Sequence, residues 1–347
     1  MGVAVGIGVL LGARVGVGGS GEGVAGGVEV GSTTSCTMGV GTGVGEALKR
    51  AHPTNKKRAN ARVGKVFILF LRTGSSGTII IQIMSLSLPL KILLVAATAA
   101  LITVWLVKTP PGLLGKIDAI GYAVCHQAPA RSFLIGDRPT PLCARCSGMY
   151  LGALAGIIYL MRLGRRGEIP PLKIGLVLIF FVAAFGLDGL NSFSRLIPGF
   201  PFLYQSQNWL RLATGTGMGL GIAAVLVPVF NQAVWIDYNE LPALGEWRHL
   251  GILFILGILL DLGVYSQNPL LIYPLAVLSG LGVLVILSMV YTIIWVLFSK
   301  TENRYYHIQE LWVPLLAGFL TAMLQISLID TGRFLLTGTW AGIPLPN

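Results

Sequence analysis

The stretch most able to do chemistry runs from Gly121 to Gly152, GYAVCHQAPARSFLIGDRPTPLCARCSGMYLG. Cys125 and His126 open it, Arg131-Ser132-Phe133 follows, and Cys143-Ala144-Arg145-Cys146 closes it. A Cys-x-x-Cys with Gly two residues further on suits a knuckle turn, in which two sulfurs converge on one ion. With Cys125 and His126 added, the set is Cys3His, a donor combination that holds zinc or another transition metal. Metal ligands are therefore expected at Cys125, His126, Cys143 and Cys146. Neighbours 125 and 126 can face one ion only if the backbone turns sharply between them. Two other readings stand beside this one: a disulfide or redox pair among the three cysteines, and three inert reduced thiols. Haem attachment needs His directly after the second Cys, where Ser147 stands.

Charged residues inside apolar segments form a second group. Asp188, Arg211, Asp261 and Asp330 each fall within or at the end of such a segment. A charge there costs about 2.5–3.5 kcal/mol even on mild insertion scales, so these residues are expected to face the bundle interior and pair. Asp188 with Arg211 is the expected pair, and Asp330 is expected to close its helix at the interface. If the site is catalytic, Asp188 is the candidate base and Arg131 or Arg145 the candidate holder of an anionic group, with Arg211 a further catalytic candidate. No spacing identifies a substrate or reaction.

These residues need elements to position them, and composition says which. The chain has 347 residues, 54% hydrophobic and 11% charged, against about 25% charged in soluble domains. Apolar runs near 90–107, 147–163, 172–190, 209–230, 249–266, 271–298 and 311–330 approach the ~20 residues that a spanning helix needs. The expected fold is all-α: a polytopic bundle of about seven spanning helices, residues 84–347, embedded in the lipid bilayer. The sixth span contains Pro274 and is expected to tilt or to begin after it. A tight turn, Ser266-Gln267-Asn268-Pro269, joins it to the fifth. The Gly-rich start of the fourth span, TGTGMGLGIAA, allows a neighbouring helix to approach closely.

Residues 1–47 are Gly/Val-rich and lack the charged start and compact apolar core of a signal peptide. Residues 48–65 are basic. The extension 1–83 is expected to be disordered or to reflect a start placed too early, with Met84 the natural beginning. It holds nine Lys/Arg and three Asp/Glu of a chain with formal net charge +11. No basic stripe with interleaved aromatics is present, so no nucleic-acid partner is expected.

Sidedness follows from loop charges. Arg162, Arg165, Arg166 and Lys173 lie in the second-to-third connection, and Lys300 and Arg304 in the sixth-to-seventh. Both connections are expected on the cytoplasmic face of a prokaryotic plasma membrane, with the 108–146 connection outside. His249 reads as an interfacial anchor and His307 as a solvated loop residue.

The blocks CHQAPARSF and PLCARCSGMYLG resemble a family of predicted bacterial and archaeal membrane proteins classed as a domain of unknown function. LDGLNS and NWLRLATG are similar to its later blocks, so the resemblance covers roughly 110–230. It implies a helical membrane protein and marks Cys125, His126, Arg131, Cys143, Arg145, Cys146, Tyr150, Asp188 and Arg211, without implying an activity. The leading expectation is a metal-binding membrane protein, the metal structural or catalytic. The alternatives are a transporter lined by Asp188, Arg211, Asp261 and Gln325, and a thiol–disulfide redox protein.

Overall fold

The computed structural model describes residues 88–194 and 203–342. The extension 1–83 and the expected start at Met84 lie outside the described residues. Eight α-helices are described: α1 (Leu88–Lys108), α2 (Leu113–Val124), α3 (Ala144–Arg162), α4 (Leu172–Ser194), α5 (Asn208–Val234), α6 (Trp247–Tyr265), α7 (Pro269–Phe298) and α8 (Trp312–Thr337). All but α2 are long and apolar enough to cross a bilayer. Helix α2 is only 12 residues long but buries Ile117, Ala119, Ile120 and Tyr122. It packs against α7 and α8 at the face where the odd-numbered spans α3, α5 and α7 begin.

Helices α3 and α5 form the centre, running parallel with their backbones in contact. Gly148, Gly152 and Gly156 recur every fourth residue on α3, facing Gly215, Gly219 and Ala223 on α5. A methyl group on Gly152 would come 2.6 Å from Thr216 O, and one on Gly219 would come 2.6 Å from Ala153 N. Lipid tails are as apolar as leucine, so helices in a bilayer gain mainly from close packing, which small residues permit. The Gly-rich run of α5 thus meets a second glycine stripe on α3. Gly282 of α7 adds a third helix, since a methyl there would lie 2.7 Å from Tyr150 O.

The remaining helices wrap this pair. Helix α4 packs along α5, α8 along α7, and α1 along α8. Trp105 of α1 donates to Asp330 Oδ2 of α8 at 3.1 Å. Asp330 is 2% exposed, and α8 continues to Thr337. The expectation that Asp330 closes a helix at the interface is therefore corrected: it is an interior carboxyl tied to another helix. Helix α7 begins at Pro269, not after Pro274. Asn268 caps it, its Oδ1 accepting from Leu270 N at 3.0 Å. Pro269 occupies the first helical position, where a missing N–H costs nothing.

Short strands lie at both ends of the bundle. On one face β1 (Leu134–Ile135) pairs antiparallel with β2 (Arg138–Pro139). On the other, β3 (Arg166–Glu168) pairs in parallel with β4 (Asn239–Pro242). There Arg165 binds Asp237 at 2.5 Å and stacks on Trp235. His249, expected to anchor the interface, bonds the Tyr159 hydroxyl at 2.7 Å through Nδ1. His307 is exposed and also caps the turn before α8 together with Glu310.

Replacing Gly152 with Leu should force α3 off α5 and cost at least the ~1–3 kcal/mol typical of overpacking. Gly251 has no heavy atom within 4 Å of its would-be Cβ, so Gly251→Leu should be neutral. Thermal unfolding of both variants in detergent, read by light scattering, checks the contrast.

Candidate functional site

The loop from α2 to α3 folds back over the first turns of α3 and α5. Lys116 tethers α2 to the end of α1, donating to Thr109 O and Oγ1 at 3.0 Å. Arg333 of α8 fixes the other end of α2, donating to Tyr122 O at 2.6 Å, Cys125 O at 2.7 Å and His126 O at 3.3 Å. Its guanidinium also lies over the Tyr122 ring, 3.8 Å from the centroid. Helix C-termini leave carbonyls without partners, and a cation there is favourable.

Gln127 closes the loop. Its backbone takes a positive φ of 51°, uncommon outside glycine. Its Nε2 donates to Asp118 O at 2.8 Å and Pro141 O at 2.7 Å. A side chain on Gly121 would collide with Pro141 O, so glycine is required at this crossing. One amide thus joins the stretch before Cys125 to the stretch before Cys143.

The consequence is a three-sulfur cluster. The Sγ atoms of Cys125, Cys143 and Cys146 all lie within 4.8 Å of one another, and all three thiols are free. Cys125 Sγ accepts from Gln127 N and Cys143 N, each at 3.4 Å. No knuckle turn forms. Cys143 is the N-cap of α3 and Cys146 lies in its first turn, so the i, i+3 spacing puts both on one helical face. Gly148 does not serve the sulfurs; it sits in the α3–α5 contact. His126 stands beside the cluster, not within the same mutual distance. Its Nδ1 is 3.9 Å from Cys125 Sγ, and its Nε2 is buried without a hydrogen-bond partner.

The three thiols share charge unequally. Hydrogen bonds with Cys125 and then Cys146 hold Cys143 well below the ordinary thiol range. Cys125 is pushed up to about 12, first by its hydrogen bond with Cys143. Burial pushes His126 below its ordinary range; Cys143 opposes this, and Arg131, Arg145 and Arg211 reinforce it. The imidazole therefore lies in the field of three guanidiniums.

The ionic pairing differs from expectation. Asp188, 1% exposed, is paired with Arg145, not Arg211. Arg145 Nε reaches Asp188 Oδ2 at 3.1 Å, Nη2 bonds the same oxygen, and Nη2 also reaches Asp188 O at 3.0 Å. Tyr204 and Ser206 donate to Oδ1 at 2.8 and 3.1 Å. Burial and then this bond push the Tyr204 phenol up to about 12. Arg211 instead donates from Nη1 to Asn208 Oδ1 at 2.8 Å. The reason is positional: Arg145 in the first turn of α3 meets the end of α4 directly. Both oxygens of Asp188 are then occupied. Arg131, also buried, lies near enough to act electrostatically on Arg211 and His126.

Other residues expected to line a pathway have separate partners. Asp261 Oδ1 accepts from Thr216 Oγ1 at 2.6 Å, and Gln325 Oε1 from Tyr291 at 2.8 Å. Tyr150 packs beside the sulfur cluster. Gln127, Tyr204 and Arg333 received no role from sequence. Only Gln127 carried a signal, lying within the Cys-His-Gln block.

A family model for predicted membrane proteins, DUF2085, matches residues 125–225. An uncharacterized protein of Methanocaldococcus jannaschii is 30% identical over 122 residues, covering 35% of this chain and 72% of the relative. The chain belongs to this family. Another uncharacterized protein, from Methanothermobacter thermautotrophicus, is 32% identical over 111 residues, 32% of this chain and 90% of the relative. No solved structure matches. The DUF2085 segment takes in all three clustered cysteines, Arg131, the Arg145–Asp188 pair and Arg211. Arg333, which orders the Cys125–His126 backbone, lies outside it.

Removing Asp188 should leave the half-buried Arg145 without its partner and destabilise the fold, by less than the ~3–5 kcal/mol of a fully buried orphan charge. A double-mutant cycle between Arg145→Met and Asp188→Asn should show coupling of about 1 kcal/mol or more. The cycle between Arg211→Met and Asp188→Asn should show much less. Equal coupling in both would refute the pairing; denaturant titration in mixed micelles supplies the measurement.

Proposed function

We propose that the protein is a metal-binding membrane protein whose Cys125, Cys143 and Cys146 thiolates hold one soft divalent ion, zinc by donor preference. The observation that carries this reading is the convergence of three free sulfurs from two separate segments to within 4.8 Å. Around tetrahedral zinc, with Zn–S distances of about 2.3 Å, thiolate sulfurs stand somewhat under 4 Å apart, so only a small contraction is needed. Neutral thiols alone give little reason for such clustering, whereas an ion would stabilise the thiolates jointly. His126 is the nearest nitrogen donor and would close the shell as a structural site. A solvent molecule in that position would leave the ion open for Lewis-acid chemistry.

One observation favours a second reading. Cys143 is held below the ordinary thiol range at a helix N-terminus, with Cys146 three residues on, and this is the environment of a redox-active Cys-x-x-Cys. Metal analysis and free-thiol counting on the purified chain separate the two. Near one equivalent of zinc, lost in Cys143→Ser, is expected. Absence of metal with two thiols oxidised would instead establish the redox pair. Because thiols must release protons to bind metal, zinc retention should fall on acidification.

For orientation, we propose that β3, β4 and the α7–α8 connection face the cytoplasm, supported by Arg162, Arg165, Arg166, Lys173, Lys300 and Arg304 at that end. The sulfur cluster then faces outward. Alkaline phosphatase fused after Asn347 should be active; an inactive fusion, matched by a fluorescent cytoplasmic reporter at the same point, would reverse the assignment.

A further inference from the structure

Helix α8 is capped by Gly338, whose φ of 67° is the left-handed conformation that favours glycine. Its N–H donates to Phe334 O at 2.8 Å. From there the chain leaves the helix and runs back over the end of α2. Tyr122, 1% exposed, receives it. The Tyr122 hydroxyl lies 2.9 Å from Thr337 Oγ1 and donates to Thr339 O at 2.8 Å. The Trp340 ring packs on Tyr122, with centroids 5.1 Å apart, and on Phe334 at 5.4 Å.

Gly342 reaches the cysteine loop itself. A methyl there would collide with Gln127 O and lie 2.6 Å from Gln127 C, so the two main chains rest on each other and glycine is required. Gln127 N is a donor to Cys125 Sγ, so a single residue separates Gly342 from that sulfur. Trp340 packs against the apolar cluster that contains Cys125 and Cys143, as Cys146 also does. Residues 338–342 therefore lie over the Cys125 side of the sulfurs, and Cys125 is only 6% exposed.

This cover can lift without unfolding the bundle. Thr339 and Ala341 are exposed, and residues 339–342 belong to no helix or strand. Segments with few buried contacts open locally, at a fraction of the free energy of global unfolding. Rotation at Gly338 would free the Thr339 carbonyl, the Trp340 ring and the Gly342 main chain together. Arg333 would stay on the carbonyls of Tyr122, Cys125 and His126, so the cysteine loop keeps its shape.

We propose that Gly338–Gly342 is a strap that seals the sulfur cluster and swings open about Gly338 to admit what reacts with the thiols. That the entering species is a metal ion rests on the metal reading; the seal does not.

The test uses the full chain in detergent micelles, reduced and freed of metal. Labelling by N-ethylmaleimide is followed in time, and peptide mapping reads Cys125 separately from Cys143 and Cys146. The rate reports the open population where closing is faster than labelling. Trp340→Ala removes the ring, and Gly342→Val collides with Gln127. Each should speed Cys125 labelling about tenfold or more, through loss of the aromatic contact or of the seat on Gln127. Trp340→Phe keeps a ring on Tyr122 and should label at close to the wild-type rate. Gly332→Ala, on α8 where a methyl meets no heavy atom within 4 Å, should match the wild type. Unfolding midpoints of the strap variants should stay near the wild-type value. The same variants should take up zinc faster, and lose it faster to a chelator, at unchanged stoichiometry. Faster labelling in a protein that binds no zinc would uphold the strap and refute the metal reading alone. Unchanged Cys125 labelling in both Trp340→Ala and Gly342→Val would overturn the strap. So would equal acceleration in Gly332→Ala, or acceleration accounted for by a fallen unfolding midpoint.

Discussion

The parallel contact between α3 and α5 is the constraint on which the rest depends. Glycines on both helices let one backbone rest on the other, with Gly152 against Thr216 and Gly219 against Ala153. In lipid no water-driven collapse sets helix spacing, so this close approach must come from small residues. It fixes where the first turns of both helices end. Cys143, Arg145 and Cys146 stand on one first turn and Arg211 on the other. Larger residues at the crossing would separate the two sets of functional groups.

A second layer of interactions brings the third cysteine to that point. Cys125 follows a helix too short to span, and side chains outside that helix hold it near α3. Gln127 and Arg333 do so by satisfying backbone carbonyls: Gln127 those of Asp118 and Pro141, Arg333 those of Tyr122, Cys125 and His126. Buried carbonyls without donors are costly, so these side chains both satisfy the loop and set its shape. The sulfur cluster is thus assembled by polar groups that have no chemistry of their own.

The electrostatics follow from the same geometry. Arg145 reaches the end of α4 and occupies Asp188, which Tyr204 and Ser206 then saturate. Arg211, one helix away, keeps only Asn208. At the same end of α3, hydrogen bonds with Cys125 and Cys146 favour a thiolate at Cys143.

The sequence by itself determined the bundle. Seven runs of apolar residues, too poor in charge for a soluble surface, admit little but spanning helices, because backbone groups in lipid must be bonded within their own segment. It also singled out Cys125, Cys143 and Cys146, which stand in one recognisable block. Partnership was decided only by tertiary structure. Asp188 pairing with Arg145 depends on how α3 and α4 each rotate against α5, and neither rotation is written in hydropathy. The helical setting of Cys143 and Cys146, the interior position of Asp330 and the roles of Gln127 and Arg333 were likewise settled by contacts between distant segments. Hydropathy periodicity reports the solvent each residue prefers, whereas a hydrogen bond or ion pair depends on distances of an ångström that only packing sets.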